Sequence, residues 1–165
     1  MPKKSGRSTS ATPAIKDLER HGLRYKLHDY NFDPGDLGIG EQAAKALGIA
    51  EDRLFKTLMV LIDGKQLASA LIPVNAEAQM KALAAALGGK RAAMASITEA
   101  ERASGYVKGG ISPFGQRQKL QAVIDRTIEN HETVFVNGGK RGLQIELAPQ
   151  DLIAGLDAIL ADLAR

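Results

Sequence analysis

The segment at residues 53–74, "RLFKTLMVLIDGKQLASALIPV", sets the architecture. Two runs rich in β-formers flank Asp63-Gly64, a dipeptide that accepts the positive φ angles of a tight hairpin turn. The segment therefore reads as a β-hairpin. In its first run, alternation puts Leu54, Lys56, Leu58 and Val60 on one face and Phe55, Thr57, Met59 and Leu61 on the other. Both faces are apolar, so this strand is expected to be buried on both sides. Lys56 is the anomaly, because an ammonium placed there has to reach an anion or water. Two readings stay open: a lysine that meets a ligand, and a strand-end lysine that snorkels to solvent.

Outward from the hairpin, helices and strands alternate irregularly. "TPAIKDLERHG" predicts a helix with Thr12 as N-cap, Pro13 in its first turn and Gly22 after its end. "LRYKLHDY" alternates as a strand, "NFDPGDLGIG" is a loop, and "EQAAKALG" is a helix closed by Gly48. After the hairpin, "NAEAQMKALAAALGG" predicts an amphipathic helix, a short strand lies near Arg91, and Ser96 with Glu99 opens a further helix as a capping box. "LQAVID", "TVFVN" and "LQIEL" read as strands. A last helix starts at Pro149 and carries Leu152, Ile153, Leu156, Ile159, Leu160 and Leu163 along one stripe. One hairpin among mixed elements argues for an α/β (α+β) fold with a mixed sheet and helices packed on it.

Composition bounds the chemistry. The chain has 165 residues, 44% hydrophobic and 25% charged, with aromatics at only 4%, so one domain can bury a core of aliphatic side chains. There is no cysteine, which removes thiolate catalysis and Cys-based metal sites. His21, His28 and His131 are scattered and make no metal constellation. No apolar run reaches the length of a membrane span. Residues 1–10, "MPKKSGRSTS", read as a disordered basic tail with no hydrophobic core of a secretory signal, and residues 11–165 as a single domain. A net charge of +3 permits an anionic partner without demanding one.

Two glycine-basic stretches stand out. "GYVKGGISPFGQRQK", residues 105–119, has three cations, Lys108, Arg117 and Lys119, and no acid. Its glycines would let backbone amides approach an anion, and Tyr106 and Phe114 could offer stacking faces. "NGGKRG", residues 137–142, repeats the chemistry. Each stretch could equally be a turn with solvated cations, and neither matches a phosphate-binding glycine motif. Together with Lys56 they suggest a site where backbone donors handle the reacting group of an anionic ligand. Ser112 is the only aliphatic hydroxyl in the first stretch and has no visible base. His28 reads as a surface histidine, and His21 as a partner of a helix C-terminus.

These stretches, with "TPAIKDLE", "HDYNFDP", "LFKTLMV", "GYVKGGISPFGQ" and "GGKRGLQIEL" in one order, make the chain resemble the YbaK/EbsC family of free-standing aminoacyl-tRNA deacylases. That family is related to the editing insertion of bacterial prolyl-tRNA synthetases, and the match is nearest its Cys-tRNA(Pro) deacylase branch. The resemblance runs from about Thr12 to the C-terminal segment. It implies a mixed, curved, barrel-like β-sheet with flanking helices, a cytoplasmic trans-editing enzyme, and release of cysteine from mischarged tRNA(Pro). It implies no cofactor, no metal, no membrane and no protein nucleophile, because the substrate thiol can attack its own ester. Prolyl-tRNA synthetase is a candidate partner for tRNA selectivity.

The residue roles follow from the same resemblance. Lys56 anchors the 3′-terminal adenosine region and Gly109 holds the reacting ester. Tyr30, Ile39, Thr57, Gly110, Ile111, Ser112, Pro113, Asn137, Gly138 and Gly139 form the substrate-binding surround. Ile39 stands where a pocket phenylalanine occurs in the family, and Asn137 where a serine occurs. Those two changes bear on amino-acid preference, so removal of alanine or serine, or binding of tRNA without turnover, are the competing expectations.

Overall fold

The structure is a computed structural model that describes residues 11–32 and 38–165. The tail at 1–10 and part of the "NFDPGDLGIG" loop lie outside the described residues. The hairpin forms as β2 (Phe55–Ile62) and β3 (Gln66–Pro73), antiparallel, with Phe55 opposite Pro73 and Ile62 opposite Gln66. Asp63 and Gly64 take φ values of 53° and 73°, and the Lys65 N–H donates back to the Ile62 carbonyl at 3.1 Å. The Asp63 carboxylate accepts the N–H groups of Lys90 and Arg91, each at 2.9 Å. This fixes β4 (Ala92–Met94) beside β2.

β3 also pairs in parallel with β5 (Gln121–Asp125), and β5 with β8 (Ile159–Ala161), giving a five-stranded sheet in the order β4-β2-β3-β5-β8. A second, antiparallel sheet of three strands has the order β1-β7-β6, from Lys26–Asp29, Leu143–Leu147 and Val134–Asn137. A parallel bridge from Leu54 to Phe135 joins the two. The mixed, curved sheet expected from the sequence is thus realised as two sheets, open rather than closed into a barrel among the described residues.

Side-chain alternation builds a core on each face of the hairpin. Phe55, Leu71 and Ile124 pack with Val134, Val136, Ile145 and Leu147, so one cluster holds the two sheets together. On the opposite face, Val60, Ile62, Ala68, Ala70, Ile72 and Val123 pack against Leu83 and Leu87 around α3 (Met80–Ala86). Burial of both faces is what the two-sided apolar pattern requires. Helix α3 starts at Met80, later than the sequence suggests, since residues 77–79 instead bond to the C-terminal segment: Gln79 N–H to Leu163 O at 2.7 Å, and Glu77 with Arg165 in both directions.

The last helix differs most from expectation. α5 (Pro149–Leu156) ends where Asp157 turns to φ 52°, and Ile159 and Leu160 then form β8. A helical stripe in the sequence loses here to an unpaired edge of β5. The buried Asp125 carboxylate, which also takes the Thr127 N–H, receives the Leu163 N–H at 2.8 Å and fixes the strand.

Helix α1 (Pro13–Arg20) is capped by Thr12, whose hydroxyl accepts the Ile15 N–H at 3.2 Å. Its buried Asp17 accepts the Gly115 N–H at 2.9 Å, and His21 closes its C-terminus on the Asp17 carbonyl. Gly115 has φ 67°, and a Cβ there would lie 2.3 Å from the Pro13 carbonyl oxygen. Replacing Gly115 by Ala is therefore expected to cost at least about 2 kcal/mol in urea or thermal unfolding.

His28 is not a free surface residue. Its Nε2 sits 2.8 Å from Glu146 Oε1, Thr133 Oγ1 donates to Glu146 Oε2, and Arg53 reaches the same carboxylate at 3.4 Å while lying over the Phe135 ring. Burial pushes the Glu146 carboxyl up, but the hydrogen bonds from Thr133 and His28 and the nearby charges outweigh it and hold the group below its ordinary value. A carboxyl lowered by folding stabilises fully above its unfolded value of about 4.3, and that contribution is lost as pH falls through the folded value. Glu146→Gln should lower stability near pH 7 by about 1–2 kcal/mol and flatten the fall in melting temperature below about pH 4.3.

Candidate active site

The segment at 105–119 folds as a framework. Helix α4 (Ile97–Ser104) opens with the Ser96–Glu99 capping box and closes at Gly105 with φ 83°. Tyr106 and Phe114 are both buried in the core, and the Tyr106 hydroxyl donates to the Phe114 carbonyl at 2.5 Å. Burial first, then the Asp17 charge, pushes the Tyr106 phenol well above its ordinary value. These rings are structural and present no stacking face. Ser112 is fully buried with its hydroxyl accepting the Phe114 N–H at 3.2 Å, and Pro113 is buried beside it.

What this framework projects is a tight turn. Gly110 N–H donates to Val107 O at 2.8 Å, and Gly109 at the third position has φ 89°. That is the type II pattern, which favours glycine at this position. A Cβ on Gly109 would also meet Arg141 Nε at 2.6 Å and Ile39 Cδ1 at 2.7 Å.

The second glycine stretch interlocks with the first. A Cβ on Gly110 would lie 2.8 Å from Lys140 Cα and 3.2 Å from Arg141 N, so the two backbones touch where no side chain fits. Asn137 ties them: its Nδ2 donates to Gly109 O at 3.4 Å and to Lys140 O at 3.3 Å, and its Oδ1 accepts the Gly139 N–H at 2.6 Å. Arg141 donates to Lys108 O at 2.8 Å and lies over the Phe32 ring. Gly138 bonds to Leu143 O through its N–H and accepts the Thr12 hydroxyl through its own carbonyl. Gly139 packs against Thr12 and Tyr106.

Between the turn and the start of β2 lies a cavity of about 430 Å³. Lys56, Thr57, Ile39, Gly109, Ile111 and Asn137 all line it. Ile39 reaches it because α2 (Ile39–Leu47) starts two residues earlier than the sequence suggests, with Gly40 close against Val74, where a Cβ would meet Val74 Cγ2 at 2.6 Å. The Lys56 ammonium donates to the Val74 carbonyl at 3.3 Å, and among the described residues no carboxylate pairs with it. Tyr30, Gly110, Ser112, Pro113, Gly138 and Gly139 are not among the lining residues. Tyr30 packs instead beside Leu54, Val74 and Phe135, its hydroxyl buried without a partner among the described residues. The other residues shape and hold the two loops.

The cavity also contains residues that sequence reasoning missed. Met59, Met94, Ile97 and Ala100 make much of it apolar. Gln144 lines it from β7, buried to 2% exposure, and among the described residues its Oε1 and the buried Thr57 hydroxyl have no partner. The alternation of "LQIEL" puts Gln144 opposite Leu143 and Ile145, which by itself reads as a solvent face. Lys108 and Glu101 line the cavity too, linked through the Lys108 N–H and Glu101 Oε2 at 2.8 Å.

Comparison with known proteins shows the family and the fold. A protein of Enterococcus faecalis, EbsC, provisionally named as a Cys-tRNA(Pro)/Cys-tRNA(Cys) deacylase, is 34% identical over 87% of this chain and 87% of its own length. The Escherichia coli K12 protein ProXp-y, named as a multifunctional Ser/Thr-tRNA deacylase, is 28% identical over 71% of this chain and 72% of its own. A crystal structure described as a provisional trans-editing enzyme for prolyl-tRNA synthetase superposes with a TM-score of 0.85 at 22% identity, covering 97% of this chain and 99% of that one. It shares the fold. The profile of the aminoacyl-tRNA editing domain matches residues 38–154, which include Lys56, both glycine loops and the cavity between them, and the chain belongs to that family.

Proposed function

We propose that the protein is a trans-editing deacylase that releases cysteine esterified to tRNA(Pro). The observation that carries this reading is the convergence of Lys56, Thr57, Gly109, Ile111 and Asn137 on one cavity in an editing-family chain. The resemblance of the EbsC relative, named for Cys-tRNA deacylation, supports cysteine as the amino acid.

In this reading the 3′-terminal adenosine lies at the mouth, near Lys56 and the exposed Lys108, Lys140 and Arg141, whose charges meet phosphate. The ester rests against the Gly109 turn. The substrate sulfur attacks the ester carbonyl carbon, a C–S bond forms, the bond to the ribose oxygen breaks, and that oxygen takes the thiol proton. The product is a cyclic thioester that water opens. The protein supplies orientation and backbone donors for the developing oxyanion. Cysteine needs such a second site because it resembles proline in size, and an apolar synthetic pocket discriminates weakly between similar volumes. Prolyl-tRNA synthetase remains the candidate partner for tRNA choice.

The test is a deacylation panel on one tRNA(Pro) carrying cysteine, S-methylcysteine, alanine, serine or proline. Cysteine should be released fastest and S-methylcysteine spared. Lys56→Ala should lower kcat/KM on the cysteinyl ester by about 100-fold without unfolding the protein. Equal release of cysteine and S-methylcysteine would contradict thiol assistance, and full activity of Lys56→Ala would contradict the role of Lys56.

A further inference from the structure

Gln144 and Thr57 present an unusual pairing. Each has a side-chain oxygen buried without a hydrogen-bond partner among the described residues, and both line the same cavity. A buried acceptor left unpaired is costly, so such atoms call for an explanation. The two come from different sheets, Thr57 from β2 and Gln144 from β7. Around them the lining is largely aliphatic, with Leu58, Met59, Ala100 and Ile111. The carboxylate at the cavity, Glu101, is engaged by the Lys108 N–H.

We propose that Gln144 and Thr57 form a receptor for the free α-ammonium of the aminoacyl group. The proposal rests on the reading of this cavity as an aminoacyl-ester site and extends it. Of the groups on such an ester, the primary ammonium carries three N–H donors and suits two neutral acceptor oxygens. The thiol is a weak single donor, and a ribose hydroxyl has one. Charge-assisted bonds of this kind are the stronger ones. The consequence is a selectivity beyond the side chain. An ester whose amine is acylated keeps one N–H, loses its charge and gains bulk. The protein therefore distinguishes aminoacyl-tRNA from tRNA bearing an N-blocked or peptidyl group. Gln144 binds substrate in this account and moves no proton.

The experiment uses two non-hydrolysable probes, 3′-deoxy-3′-(L-cysteinylamino)adenosine and its N-acetyl derivative, titrated into the full chain by calorimetry. The free amine should bind roughly tenfold or more tighter than the acetylated probe. Gln144→Met and Thr57→Val should each reduce that ratio toward one while leaving affinity for the acetylated probe nearly unchanged, which also reports that the variants are folded. Gln144→Glu, which keeps the acceptor oxygen at this position and replaces the amide nitrogen by a second, should preserve or raise the ratio. Equal affinity of the two probes for the wild-type chain overturns the proposal alone. A preference that survives both substitutions, or an equal loss of both probes, overturns it as well, the latter by assigning Gln144 a structural role. Failure of the free-amine probe to bind overturns the aminoacyl-site reading and this proposal with it.

Discussion

The contact on which the site depends is backbone against backbone. Gly110 lies so close to Lys140 and Arg141 that a single methyl group would force the loops apart. Because the two loops meet there, Asn137 can reach from one to the carbonyl of Gly109 in the other, and Arg141 can reach the carbonyl of Lys108. These bonds hold the type II turn whose glycine borders the cavity. The hydrogen bonds are individually modest. Their effect is geometric: they fix a backbone segment within the small tolerance that positioning of a reacting group requires.

The remainder of the fold holds the two loops in register. The N-cap of α1 bonds to Gly138 in the second glycine stretch, while Asp17 further along the helix accepts the N–H of Gly115 in the first. One short helix thus braces both. The Glu146 cluster ties β1, β7 and the entry to β2 together, so the strand that carries Lys56 and the strand that carries Gln144 are linked by more than packing. Among the described residues, a lysine paired with a carbonyl and no carboxylate and two unpaired buried oxygens are local costs that the surrounding core supports.

The sequence showed much of this where local chemistry and tertiary structure agree. The Asp63-Gly64 hairpin, the Ser96–Glu99 capping box and Gly48 as a helix stop are each fixed by backbone conformation, which few residues satisfy. Lys56 stood out because a charge interrupts a two-sided apolar strand. The C-terminal stripe misled because residues spaced for a helix were recruited to the open edge of β5, a partner that no local pattern reveals. Tyr106 and Phe114 suggested stacking faces because exposure is not legible in a glycine-rich segment, and both are in the core. Gln144 was invisible for the converse reason: a polar residue alternating with leucine and isoleucine reads as solvent-facing until the second sheet covers it. Ile39 and Asn137, which the resemblance marks as departures from the family pattern, both have places here, one against Gly109 and the other bridging the loops.

The central claim is that contact between the loops positions Gly109 for ester release. Its most direct measurement is the single-turnover rate of cysteine release from saturating Cys-tRNA(Pro) by Gly110→Ala, compared with the wild-type chain. The account predicts a rate at least about 100-fold lower, with tRNA still bound and the protein folded. A folded Gly110→Ala protein that releases cysteine at the wild-type rate would contradict it.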